Sequence, residues 1–141
     1  MIAWIQILLG LALILQTLEM LWIRDSYSPK GIWRWNTLER EMTLFPNLVQ
    51  NLLNLLLNHT VFHWVLLSRL VLALILIVQL HFWVVSGLIL ISVLISLRWR
   101  GPFNGGSDYM TFIILTGLWV AALEPESPIT SKFCLIYIAV H

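Results

Sequence analysis

Charge is scarce in this 141-residue chain: Asp, Glu, Lys and Arg together make up 11% of it, against about 25% in a typical soluble domain. Neither sign dominates. Eight Lys and Arg stand against seven Asp and Glu, a net charge of +1, which leaves no basic surface for a nucleic-acid backbone and removes nucleic acid from the expected partners. Cysteine is nearly absent as well. Cys134 is the single one, so an internal disulfide framework, a CxxC redox pair and a Cys-rich metal site are all excluded. What the chain has instead is apolar bulk, 60% of its residues at a mean hydropathy of +0.88. This predicts one integral membrane domain over residues 1–141.

Residues Ile2 to Ile23 are almost continuously apolar and stop at Arg24-Asp25. At 1.5 Å per residue, roughly twenty such residues cross a ~30 Å hydrocarbon core, which predicts a first span over about 2–23. A cleaved signal peptide is the competing reading, but the segment lacks a basic start and a small-residue cleavage site, and Glu19 interrupts its end. The apolar tract from Val61 to Leu97 is too long for one crossing. Divided at Gln79-Leu80-His81, it predicts spans over about 61–79 and 82–97. Another is predicted over 109–123, stopped by the prolines of 124–128, and the apolar segment 133–141 reads as a partial span. The expected fold class is all-α: a polytopic transmembrane helical bundle of about four full spans plus a truncated fifth segment.

The segment 24–58 is expected at the membrane interface. Residues 24–43 hold seven of the fifteen charges, together with Pro29, Gly31, Trp33 and Trp35. Beyond them, Asn47, Asn51, Asn54 and Asn58 recur at helical spacing beside a leucine face. That pattern fits a helix lying on the membrane, or the start of the next span with its asparagines toward a partner. Arg24, Lys30, Arg34, Arg40, Arg98 and Arg100 fall on one side of a four-span bundle and Lys132 on the other, which places the basic loops in the cytoplasm. Of eight tryptophans, Trp4, Trp22, Trp33, Trp35, Trp83 and Trp99 read as interfacial belt residues. Trp64 and Trp119 fall inside or near spans.

Residues 98–110, R-W-R-G-P-F-N-G-G-S-D-Y-M, lead directly into an apolar helix. This pattern resembles the loop between consecutive helices of horizontally transferred transmembrane (HTTM) domains, bacterial relatives of vitamin K-dependent carboxylase within a wider DoxX-like set. The likeness extends to the opening helix, the Ser28-Pro29-Lys30-Gly31 turn and the paired second and third helices, so that residues 5–141 correspond to the family's N-terminal half. Asp108 comes one residue later than the family's usual acid. The resemblance implies a membrane bundle. The lysine and histidine groups of its carboxylase members have no matching motif here, so no catalytic residue is carried over.

Three sets of side chains are candidates for chemistry. Asn104, Gly105, Gly106, Ser107 and Asp108 form a loop able to cap the following helix or to hold an anion at its positive end. Beside it, Arg98 and Arg100 suit a lipid phosphate or serve as topology anchors. Glu19 and Arg69 are formal charges inside predicted spans, and burying either alone is costly, so they are expected either to pair across helices or to snorkel separately. His59 and His63 share a helix face at i, i+4, and with His81 they are candidate ligands for a metal or a pigment; hydrogen bonds to backbone or water are the plainer use. Cys134 reads as an apolar packing residue.

Two functions follow as expectations. One is an accessory or structural subunit of a larger respiratory or photosynthetic membrane complex, surrounded by membrane lipids and other subunits. The alternative, implied by the resemblance, is an HTTM or carboxylase-like membrane enzyme or fragment acting on a quinone-like or lipid substrate. An immunity or redox-partner role of the DoxX kind is a weaker third. Lipid is the expected bound molecule, with a chlorophyll-type pigment, haem or quinone as further candidates, in a bacterial inner or photosynthetic membrane.

Overall fold

Breaks in the apolar pattern decide where each helix ends. A computed structural model describes residues 2–28, 30–31, 35–38, 40, 45–98, 106–123 and 127–140. Helix α1 (Ile2–Trp22) leads into a 3-10 turn at Arg24–Tyr27, followed by the single-turn α2 (Trp35–Leu38) and by α3 (Asn47–Leu57). Then come α4 (His59–Val78), α5 (Phe82–Arg98), α6 (Gly106–Leu123) and α7 (Pro128–Val140). Asn58 alone separates α3 from α4, its ψ of 142° taking it out of the helix. Gln79 adopts an extended conformation and ends α4. Pro128 occupies the first position of α7, where its missing N–H is not needed.

The all-α class holds, but the number of crossings does not. Among the described residues, α1 (21 residues, hydropathy 1.8) and α4 (20 residues, hydropathy 2.4) are long and apolar enough to cross a membrane. Helix α5 has 17 residues and α7 has 13, and these two, like the 108–123 part of α6, are apolar but shorter. Four full spans with a partial fifth are therefore corrected to two span-length helices. Gln79, Leu80 and His81 are not helical, so the tract 61–97 yields one long helix and one short one. The last segment also starts earlier than 133, because Pro128 opens a turn in which Thr130 Oγ1 donates to the Ser127 carbonyl at 2.9 Å. The side assignment of the basic loops presupposed four spans and falls with them.

Cross-contacts define an antiparallel arrangement. Gln6 Nε2 donates to the Leu76 carbonyl, while Arg69 lies opposite Gln16, so α1 and α4 run in opposite directions. Leu76 belongs to the last turn of α4, whose carbonyls have no intrahelical partner; Gln6 supplies one. Trp119 Nε1 donates to Ser86 Oγ at 2.9 Å between α5 and α6, and Gly117 of α6 lies against Cys134 and Ile138 of α7. Helices α1, α4, α5 and α6 close a ring, with α7 against α6.

Two apolar clusters fill the ring. One joins Trp35, Leu53, Leu57, Phe62, Leu66, Leu94 and Ile95. The other joins Leu9, Leu13, Ala73, Leu76, Leu88, Leu115, Leu118 and Cys134, which gives Cys134 the packing role expected of it. At Gly10 an added Cβ would come within 2.5 Å of Ile77 Cγ1 and 3.2 Å of the Ala73 carbonyl oxygen. Only glycine lets the two long helices approach this closely. Gly10→Val should cost about 1–3 kcal/mol through overpacking, read as a lowered midpoint of thermal unfolding in detergent. An unchanged midpoint would mean that the α1–α4 contact is looser than described.

Candidate functional site

Arg69 sits where the two apolar clusters meet. On α4 it lies between Leu66 of one cluster and Ala73 of the other, and it is 2% exposed. Its Nη2 donates to Gln16 Oε1 at 2.9 Å, and its Nη1 approaches Met20 Sδ at 3.8 Å. Arg69 and Asp108, in the first turn of α6, attract one another electrostatically. Burial pushes the Asp108 carboxyl above its ordinary range, and the Arg69 charge opposes that shift.

A cavity of about 10 Å³, lined by Arg69, Ser92, Ser96, Asp108, Thr111, Ile95 and Phe112, lies at the centre of this layer. Arg69 Nε and Ser92 Oγ are buried there without a hydrogen-bond partner. A second cavity of about 140 Å³, lined by Ser96, Asp108, Tyr109 and Phe112, adjoins it. The layer can therefore stabilise a polar acceptor deep inside an apolar bundle, since its free groups include donors that burial makes costly to leave unpaired.

Of the two alternatives for Glu19 and Arg69, pairing or separate snorkelling, the pair is not formed. Glu19 is exposed, while Gln16, three residues earlier and so about one turn away, takes the arginine. Arg98 is fully buried rather than turned toward lipid phosphate: its guanidinium carbon stands 5.8 Å from the ring centroids of both Trp35 and Phe62. Trp35 in turn donates to Asn54 Oδ1 at 3.1 Å, which fastens α2 and α3 to the ring. Arg100, Asn104 and Gly105 lie outside the described residues, as do Pro29, Trp33 and Trp99. Gly106 and Ser107 begin α6, and their side chains also lie outside the description.

His59 and His63 do come together, with ring centroids 4.8 Å apart in an edge arrangement. His63 Nδ1, however, contacts the His59 carbonyl at 2.8 Å, and among the described residues no group of three metal-ligating side chains exists. His81 Nε2 pairs with Gln79 Oε1 at 2.9 Å on the surface. The sequence reading missed Gln16, Met20, Ser92, Ser96 and Thr111. Their signal was helical spacing: Gln16 and Met20, and Ser92 and Ser96, are i, i+4 pairs, and Asp108 and Thr111 are i, i+3, all within apolar helices.

Arg69→Leu should destabilise the chain, because it removes the donor to Gln16 and the charge that faces the half-buried Asp108. A thermal double-mutant cycle in detergent should give coupling of about 0.5–3 kcal/mol with Asp108→Asn, and additivity within about 0.5 kcal/mol with Glu19→Gln. The reverse pattern would restore the Glu19 pairing. Arg98→Lys keeps the charge but loses the planar stack, and should lower stability by about 0.5–2 kcal/mol in the same measurement. A neutral result would remove the aromatic contact as a stabilising one.

Compared with protein-family models, with curated proteins and with solved structures, the chain matches none.

Proposed function

We propose that the chain is an integral membrane accessory subunit, crossing the bilayer with α1 and α4 and meeting a neighbouring subunit through α7. Burial supports the membrane setting. Only 28% of the α1 window and 33% of the α4 window are buried inside the protein, whereas the core helix of a water-soluble protein would be mostly covered. Trp4, Leu15 and Trp22 of α1, with Trp64, Val71 and Val78 of α4, point outward. Leu48, Leu52 and Leu55 form an exposed apolar row on α3, opposite the buried Leu53 and Leu57. Such a helix suits the membrane interface.

The observation that carries the subunit reading is the outer face of α7. Ile129, Phe133, Ile136 and Val140 are all exposed at i, i+4, i+7 and i+11, a continuous stripe on a helix of 13 residues. That helix is too short to cross alone, and its stripe has the spacing of a helix–helix seam. A second reading, an HTTM-like enzyme or fragment with a quinone-like or lipid substrate, is supported by the resemblance of residues 98–110.

Purification from the native membrane in mild detergent tests the choice. The expected result is a companion at fixed stoichiometry that is lost several-fold on Phe133→Ser with Ile136→Ser, while the chain itself stays in the membrane fraction. A lone chain carrying bound quinone would overturn the subunit reading in favour of the second. Release of the chain by alkaline carbonate would overturn both.

A further inference from the structure

Hydroxyls inside helices commonly bond back to their own backbone, and those of Thr17, Ser68, Ser86 and Thr116 do so, to carbonyls three or four residues earlier. Ser92 on α5 does not. It is 5% exposed, and its Oγ has no hydrogen-bond partner among the described residues. Arg69 Nε, on a side chain lining the same cavity of about 10 Å³, is in the same condition, although the Nη groups of that guanidinium are engaged by Gln16 and Met20. The two atoms share a cavity without bonding to one another.

Charge and size decide what the cavity can hold. Asp108 lines it as well and attracts Arg69, so an added anion would meet the carboxylate and an added cation the guanidinium. An apolar occupant would leave both orphaned groups unpaired, at the cost that burial imposes. What remains is a neutral molecule that both donates and accepts. A volume of about 10 Å³ is close to the minimum that one water requires.

Access comes from the neighbouring cavity of about 140 Å³, which shares Ser96, Asp108 and Phe112 with the small one and also borders Tyr109. Tyr109 is exposed. The route from that surface to Arg69 and Ser92 therefore passes Asp108.

We propose that the small cavity binds one ordered water, which accepts from Arg69 Nε–H and from the Ser92 hydroxyl and donates to the Asp108 carboxylate. Three hydrogen bonds are the usual complement of a buried water. Arg69 of α4 and Asp108 of α6 then act on one another through a shared molecule, and Ser92 brings α5 into the same contact. The site does not depend on the membrane reading, because the orphaned groups are buried whatever solvent surrounds the bundle.

The test is nuclear magnetic resonance on the full chain in detergent micelles, isotope-labelled at arginine, with magnetisation transferred in the rotating frame from water to the Nε–H protons. Arg69, its resonance identified by loss in Arg69→Lys, should show a cross-peak of dipolar sign, the mark of a water held beside it. Arg24, which is exposed, should show exchange sign instead. Ser92→Ala removes the hydroxyl as a source of the signal and leaves the water two partners, so the Arg69 cross-peak should persist. Ser92→Val puts methyl groups into the cavity and should abolish it. Absence of a dipolar cross-peak in the unmodified chain overturns the proposal. Loss in Ser92→Ala assigns the signal to the hydroxyl, and undiminished signal in Ser92→Val places the water outside the cavity; either overturns it equally. If the valine variant does not fold, the unmodified chain and Ser92→Ala decide.

Discussion

A guanidinium held between two apolar clusters is the constraint that the rest of this structure answers to. Desolvating an ion costs several kcal/mol even after relaxation, and the bundle meets that cost with partners drawn from other helices. Gln16 and Met20 come from α1, and the opposing charge of Asp108 comes from α6. The same residue therefore specifies which helices must flank α4. Apolar side chains alone would discriminate poorly among leucine-rich faces, because many registers bury similar area. A single buried cation has few acceptable settings.

Arg98 shows another solution to the same problem. Its charge lies against the faces of Trp35 and Phe62, whose quadrupoles attract a cation in a dry setting. The result ties the segment between the long helices to the end of α5, and the Trp35–Asn54 bond extends that tie to α3. One arginine thus organises the middle of the ring, and the other closes one end of it.

Much of the helix content was legible in the sequence. Apolar runs and the breaks at Gln79–His81 and Pro128 mark helices that the structure contains. Span number was not legible, because hydropathy counts apolar residues without knowing how many the breaks remove or that α5 ends in a buried Arg98. At the site, the sequence singled out Arg69 and Asp108, and for Arg69 it offered a pair with Glu19 or separate snorkelling. Opposite formal charge is the strongest cue available to a reader of sequence. The fold instead places the neutral amide of Gln16 at the arginine and leaves Glu19 outside, where its hydration costs nothing. Pairing across helices depends on the rotation of each helix about its axis, and a helix apolar nearly all round gives little clue to that rotation.

The bonds that α1 makes to α4 also set an order of events during synthesis. Gln6 finds its acceptor 70 residues later, and Gln16 meets Arg69 across a separation of 53. At about 5–20 residues per second, the first helix waits several seconds, with two polar amides unmatched, before the second exists. During that interval other polar groups, water among them, must satisfy them. The first helix is thus a provisional resident until its partner emerges, and the pairing of the two is the step that commits it.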